Sequence, residues 1–209
     1  MNNEETHPKR TPTGIYDRTI LCAGCEPLFG PWDQYAQDVL TDNPPGQPQK
    51  VGDRIVGYEV TGPWRYDLVK LFFVSLAWRA SVSTHSFYAR VRLGRYEEQA
   101  KAMLKETRPG DPQEFAVTLA RFADPIGKAV LDPHPEKIEG VNYVRFYLAG
   151  YVAYVKVDRR PAPQFMSTFV LAPGGPLKLI GREFMQSQEF QLAKSIVARQ
   201  QSLKRKRAL

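Results

Sequence analysis

An apolar stretch runs from Leu68 to Val82 and has no polar face when it is drawn as a helix. Leu68 and Leu71 lie on one side of that helix, and Val69 and Phe73 lie on the other. Such a helix is stable only where other elements cover it all round, so the sequence predicts a central core helix. The stretch is shorter than the about 20 residues needed to cross a bilayer, and no membrane span is expected.

The spacing of apolar residues changes along the chain. Up to about residue 108 it favours helices, with one strand at 54–60 and a loop over 42–50, whereas beyond Pro112 the apolar residues alternate as in strands. Strands are predicted over 115–122, 142–157, 165–171 and 177–180, the last of these pairing back on its predecessor. The order predicts an α+β fold: an N-terminal helical region, then an antiparallel sheet and a basic C-terminal helix.

The composition indicates one packed domain with short appendages. Hydrophobic residues make up 43% of the 209 residues and charged residues 24%, as in ordinary globular proteins. The predicted parts are a flexible arm at 1–13, a single globular domain at 14–203 and a basic tail at 204–209. Within the domain we expect a knuckle and helical part at about 14–108, a sheet part at about 112–185 and a terminal helix at about 187–203.

The two cysteines, Cys22 and Cys25, form a C-x-x-C between an extended segment and a predicted helix. Small Ala23 and Gly24 allow a tight turn, so both thiolates can reach one zinc ion at about 2.3 Å. The helix dipole also lowers the pKa of a thiol at this position. Three interpretations stay open: a zinc site completed by further ligands, a pair packed in the core, or a redox pair.

The segment from Ile20 to Glu26, read ILCAGCE and followed by a helix, resembles the second half of a treble-clef zinc knuckle. Such knuckles occur in HNH-type endonucleases and their inactive relatives, and the resemblance covers about residues 14–42. It implies zinc at Cys22 and Cys25. Active members carry another cysteine pair and a catalytic histidine upstream, whereas this sequence has only His7 there. The resemblance therefore implies a degenerate scaffold or a nuclease completed by other ligands.

The sequence contains no complete catalytic motif, and this absence favours a protein that is not an enzyme. His85 lies beside Ser83 and Ser86, but the sequence shows no oriented acid and no oxyanion hole that a catalytic triad would need. We therefore predict that His85 belongs to a polar helix terminus. His134 lies between two prolines, which predict an exposed turn. No phosphate-binding loop of the known glycine-rich patterns is present.

Arg79 lies inside the apolar core stretch. A buried guanidinium requires a carboxylate partner, and Asp33 and Glu26 of the preceding helix are the candidates. The sequence predicts an ion pair between the two helices, with anion binding as the alternative.

Net charge is +7 and the sequence pI is about 9.4, which favours polyanions or acidic protein surfaces as partners. Arg90, Arg92 and Arg95 alternate with Tyr88 and Tyr96, a pattern that suits phosphate contact and base stacking. A second group of cationic residues ends the chain: Lys204, Arg205, Lys206 and Arg207. Both groups are candidate binding sites for nucleic acid or a partner.

The sequence thus favours a non-enzymatic protein that binds nucleic acid or a nucleoprotein complex through a basic surface. One alternative is a protein–protein interaction module that inhibits or regulates a larger nucleic-acid-handling machine, with the tyrosine-rich strands at 143–154 as its surface. A second alternative is a metal-dependent HNH-like nuclease. Zinc is the one cofactor considered, and the oligomeric state stays open. The polar N-terminus and sparse cysteines predict a cytoplasmic location.

Overall fold

The computed structural model describes residues 17, 20–42, 46–60, 63–123, 131–148, 150–183, 187 and 190–191. Its helices are α1 (Glu26–Gln37), α2 (Tyr66–Val82), α3 (Glu97–Lys105) and α4 (Gln164–Ser167). Its strands are β1 (Gln47–Val51), β2 (Arg54–Val60), β3 (Val117–Phe122), β4 (His134–Ile138), β5 (Val141–Leu148), β6 (Tyr151–Lys156) and β7 (Leu177–Arg182). A π-helical turn extends α1, and two short 3-10 turns connect α2 to α3.

The described strands form one seven-stranded sheet in the order β1-β2-β7-β3-β6-β5-β4. All neighbours are antiparallel except β3 and β7, which run parallel. The α+β class is confirmed, but the prediction of an antiparallel sheet is wrong. The hairpin β1–β2 also precedes α2 in the chain, so the helices do not all come before the sheet. Strand β7 inserts between β2 and β3 and joins that hairpin to the later strands.

Helices α1, α2 and α3 cover one face of the sheet, with α2 in contact with both of the others. Val69, Phe73 and Val74 of α2 are completely buried, as the absence of a polar face predicts. They share a core with Val117 and Leu119 of β3 on the sheet below. The central core helix is therefore confirmed.

The middle strands are buried on both faces, because alternate side chains point to opposite sides of a sheet. Leu119 and Ala153 enter the helix-side core, while Val152 and Tyr154 enter a second core on the far face. Met166 of α4 packs into this second core. Runs of apolar residues without strict alternation are typical of such doubly covered strands.

Three predicted segments differ from the structure in conformation or pairing. Residues 165–171 were expected as a strand but begin within α4, and one isolated bridge, Thr118–Val170, is their strand-type pairing with the described sheet. Strand β7 pairs with β2 and β3 instead of folding back on them. The loop expected over 42–50 contains β1.

Strand β1 and the opposite outer strand β4 each contain a proline, Pro48 and Pro135.

Several predictions fall on residues outside the described ranges. These are the flexible arm at 1–13, nearly all of the terminal helix at 187–203 and the basic tail at 204–209. Among the residues that are described, none of the helices combines the length and apolar character needed to cross a membrane.

Candidate binding surface and cysteine pair

The connection between α2 and α3, residues 83–96, is termed the arginine segment. Val91 and Leu93 are buried, at 0% and 2% exposure, and fix the backbone against the helix-side core. Arg90 and Arg92 alternate with these buried residues and are exposed. The alternation presents the guanidinium groups to solvent from a supported backbone.

Hydrogen bonds hold both ends of the arginine segment. The Ser81 hydroxyl donates to a carboxylate oxygen of Glu97 over 2.6 Å and accepts from the backbone N–H of Leu93 over 2.9 Å. The Ser83 hydroxyl donates to the carboxylate of Asp17 over 2.6 Å. The arginine segment is therefore tied to both helices that it joins.

The three arginines of the segment differ from six other arginines that form ion pairs, although exposed Arg159 also has no ion pair among the described residues. Arg90, Arg92 and Arg95 are exposed, and none has a carboxylate of the described residues within the 4.0 Å that defines an ion pair. The arginines that do pair with carboxylates are Arg54 with Glu183, Arg65 with Asp67, Arg79 with Asp33, Arg108 with Glu114, Arg145 with Glu136 and Arg160 with Asp158. The arginine segment thus carries three guanidinium groups without an ion pair among the described residues, and Arg90 acts on Asp132 only through a longer-range electrostatic interaction.

The tyrosines of the arginine segment pack within the protein. Tyr88 lies edge-on to Phe87 with ring centroids 5.0 Å apart, and burial raises the pKa of Tyr88. Tyr96 lies edge-on to Phe115 at 6.3 Å and is covered by the guanidinium of Arg95 at 5.0 Å. Both rings are half-buried. The packed rings leave less of each face for base stacking, and phosphate contact by the arginines stays a prediction.

Cys22 and Cys25 lie at the start of α1, and both are exposed. The carbonyl of Cys22 accepts hydrogen bonds from the N–H groups of Cys25 and Glu26, at 2.9 and 3.0 Å, which closes the turn. The two sulfur atoms are 3.2 Å apart. The interpretation of a pair packed in the core is wrong, because the turn projects both side chains into solvent.

The contact between the two thiols makes them unequal. The hydrogen bond from Cys25 lowers the pKa of Cys22, with help from the backbone N–H groups of Cys25 and Gly24. The same contact raises the pKa of Cys25. The pair therefore favours a thiolate at Cys22 stabilised by a thiol at Cys25.

A structural zinc site needs four ligands, and the described residues supply two of them, Cys22 and Cys25. No group of three or more histidine, cysteine or acidic side chains in the described ranges could hold a metal ion. His7 lies outside those ranges. Cys22 and Cys25 fit zinc as thiolate ligands, and the other two would have to come from outside the described residues or from another molecule.

The two described histidines have structural partners. Nδ1 of His85 accepts the backbone N–H of Phe87 over 3.1 Å and begins a 3-10 turn, which confirms a polar terminus. His134 is half-buried and begins β4, so the exposed turn predicted for it is wrong. Its Nδ1 lies 3.2 Å from the carbonyl of Asp132, and burial lowers its pKa.

The ion pair expected for Arg79 is confirmed. Its two terminal nitrogens donate to the two carboxylate oxygens of Asp33, over 3.0 and 2.8 Å. Ser75 accepts a further bond, and the guanidinium lies 5.5 Å from the centroid of the Phe29 ring. These contacts join α1 to α2 and support the structural interpretation over anion binding.

The sequence analysis did not predict the roles of two buried lysines. The Lys70 ammonium nitrogen donates to the Glu114 carbonyl over 2.6 Å, and that of Lys156 donates to the Arg160 carbonyl over 2.6 Å. Burial lowers the pKa of Lys70 to about 7, and it also lowers the pKa of Lys156. The signal for Lys70 was its place in the fully apolar α2. Both amines anchor loops and are not part of the basic surface.

The tyrosine-rich strands do not form a docking surface. The tyrosines at 143–154 are between 1% and 7% exposed: Tyr143, Tyr147, Tyr151 and Tyr154. The sequence argument that placed a partner on these strands is wrong, because both faces of β5 and β6 are covered. Any protein partner would have to bind elsewhere.

Comparison with protein-family models, curated proteins and solved structures finds no match to this chain. Its own residues and geometry are therefore the basis for assigning a function.

Proposed function

We propose that this chain is a non-enzymatic protein that binds nucleic acid, alone or within a nucleoprotein complex, through the arginine segment. The observation that carries the proposal is the exposure of Arg90, Arg92 and Arg95 without carboxylate partners among the described residues. The proposal includes the cytoplasmic location expected from the sequence.

Guanidinium chemistry suits this role. Arginine donates up to five N–H groups in a planar fork that matches phosphate oxygens, and it stays charged at every working pH. Binding to phosphates releases counterions and is largely independent of base sequence. Because Tyr88 and Tyr96 are packed internally, we expect contacts to the phosphate backbone and little discrimination among bases. The cationic run from Lys204 to Arg207 adds to the same attraction.

The test removes the three charges from the arginine segment by the substitutions Arg90→Gln, Arg92→Gln and Arg95→Gln. Binding of the full chain to fluorescently labelled single-stranded DNA, duplex DNA and RNA is followed by anisotropy between 50 and roughly 200 mM salt. The wild type should lose affinity steeply with salt. The variant should bind more weakly to every sequence, and its salt slope should fall by about 0.7–0.9 for each phosphate that is no longer neutralised.

A matched control removes the same number of charges from exposed positions elsewhere, with Lys50→Gln, Lys137→Gln and Arg159→Gln. It should retain most of the affinity and the wild-type salt slope. If the two triple variants lowered the affinity for nucleic acid equally, binding would depend on overall charge rather than on the arginine segment. That result would contradict the proposal.

The alternatives have distinct outcomes in the same experiments. Failure to bind any of the three nucleic acids at 50 mM salt would remove the proposal and leave a protein-interaction module. Nicking of supercoiled plasmid in the presence of zinc, abolished by chelation, would contradict the non-enzymatic assignment and favour the HNH-like nuclease.

A further inference from the structure

The cysteine pair offers chemistry that the basic surface does not use. We propose that Cys22 and Cys25 form a thiol–disulfide exchange site that closes reversibly to an intramolecular disulfide by reaction with a low-molecular-weight disulfide, such as glutathione disulfide. This inference does not depend on nucleic-acid binding.

Access and distance both favour the reaction. Both thiols are exposed, and the two residues between them, Ala23 and Gly24, are small and exposed as well. The sulfur atoms are 3.2 Å apart and must approach by roughly 1.2 Å to reach the bond length of about 2.05 Å in a disulfide. Both cysteines lie in one four-residue turn closed by the hydrogen bond from the N–H of Cys25 to the carbonyl of Cys22, so we expect side-chain rotation to close this gap.

The number of available ligands, and not the sulfur separation, favours a disulfide over a metal bridge. Tetrahedral zinc with Zn–S bonds of about 2.3 Å places two sulfurs roughly 3.8 Å apart. The observed 3.2 Å lies between that value and the length of a disulfide bond, so it does not distinguish the two. The described residues supply only two metal ligands, whereas a disulfide needs nothing beyond Cys22 and Cys25.

The inequality of the two thiols assigns their roles. A thiolate is the attacking species in exchange, and the pKa of Cys22 is lowered by its hydrogen bond from Cys25. Cys25 is the N-cap of α1 and Cys22 lies three residues before it, so the helix dipole does not favour Cys22 over Cys25. The raised pKa of Cys25 suits a thiol that reacts second. We therefore expect Cys22 to attack and Cys25 to resolve, and the serine variants below test this order.

The exchange proceeds in two displacements. The Cys22 thiolate attacks one sulfur of glutathione disulfide, the glutathione S–S bond breaks, and one glutathione thiolate leaves and takes up a proton. Cys25 then loses its proton and attacks the Cys22 sulfur, which expels the second glutathione. Two protein thiols are oxidised, and one glutathione disulfide is reduced to two molecules of glutathione.

The test equilibrates the full chain in glutathione buffers of varied ratio, quenches with acid and alkylates the remaining thiols before intact-mass measurement. The wild type should pass from two alkylated cysteines to none in one transition, without covalent dimers. Cys25→Ser should stop at a mixed disulfide that carries one glutathione. Cys22→Ser should react more slowly at pH 7, because Cys25 lacks the stabilised thiolate.

A second measurement reports the hydrogen bond directly. The rate of iodoacetamide alkylation of Cys22 against pH should have a lower midpoint in the wild type than in Cys25→Ser. Circular dichroism of both variants checks that α1 and the rest of the fold remain. Thiols that resist glutathione disulfide at every ratio would overturn the inference. So would a zinc ion bound by both thiols in native mass spectrometry, with exchange appearing only after chelation.

Discussion

Cationic side chains have opposite environments in two regions of this protein, exposed in one and buried in the other. In the arginine segment, Arg90 and Arg92 point to solvent without carboxylate partners among the described residues. Beneath the loop at 106–116, Lys70 and Lys156 are buried at 0% and 1% exposure and donate to backbone carbonyls. The first region carries charge that a partner can use, and the second uses its amines to hold the fold together.

The difference teaches that net charge alone does not locate a binding surface. A buried amine loses hydration and gains protein acceptors, so its deletion should affect stability. An exposed guanidinium keeps its hydration, so its deletion should affect binding and leave stability nearly unchanged. Substitutions in the two regions should therefore give opposite patterns.

Lys70→Ala should produce the largest loss. It leaves a cavity in α2 and removes the donor to the Glu114 carbonyl, in a loop whose backbone is already unusual, with positive φ angles at Gly110 and Phe115. We expect the free energy of unfolding to fall by about 2–4 kcal/mol in urea titrations at pH 8. Lys70→Met, which keeps the volume, should lose less. Wild-type stability in the alanine variant would break the comparison.

Stability should also depend on pH through Lys70. Its pKa is about 7 in the folded chain and about 10.4 when unfolded. Between these values the unfolded chain binds more protons, so the free energy of unfolding should rise with pH, by up to about 1.4 kcal/mol per unit from this group. Below pH 7 both states are protonated and this contribution levels off.

The measurement compares wild type and Lys70→Met between pH 7.5 and 9.5. Glu114, Asp111 and Lys156 are the charged groups that influence Lys70, and they remain in both proteins. Lys156, whose pKa is also lowered by burial, contributes in the same direction in both. The variant should have the smaller slope, and identical slopes would show that Lys70 is not the titrating group.

Ser81→Ala tests the support of the arginine segment rather than its charge. The substitution removes a hydroxyl that joins Glu97 to the N–H of Leu93, and we expect a loss of about 1–2 kcal/mol in thermal or urea unfolding. Thr84→Ala, at an exposed neighbouring position, should change stability by less than about 0.5 kcal/mol. Similar losses in both variants would mean that the hydroxyl does not anchor the segment.

The smallest effect is expected from the triple substitution Arg90→Gln, Arg92→Gln and Arg95→Gln. Its free energy of unfolding should stay within about 0.5 kcal/mol of the wild type, although its binding to nucleic acid is weakened. A loss above about 1 kcal/mol would indicate that these arginines stabilise the fold, and the contrast with Lys70 would disappear.

Local patterns in the sequence predicted the elements that depend on local spacing. Helix α2 and the hairpin β5–β6 follow from apolar residues that recur with the period of the element. The parallel pairing of β3 with β7 was missed, because it joins segments about 60 residues apart and no local pattern encodes it. The strand expected at 165–171 failed because its apolar residues, such as Met166, fill the second core from a short helix.

The candidate site was predictable to the same limited degree. The residue types at Cys22, Cys25 and Arg90 are visible in the sequence, but their exposure is set by the cores that anchor their neighbours. Contacts that decide between roles are distant in the chain: Arg79 bonds to Asp33 across 46 residues. Spacing alone could not show which arginines are neutralised.

The prolines in the two outer strands have a consequence for how molecules of this protein meet. A strand from another copy would have to bond with the edge of β1 or β4 that pairs with none of the described strands, and Pro48 and Pro135 offer no N–H there. Each edge therefore interrupts the ladder that a growing fibril needs. At high concentration, the sheet should resist stacking edge to edge into filaments.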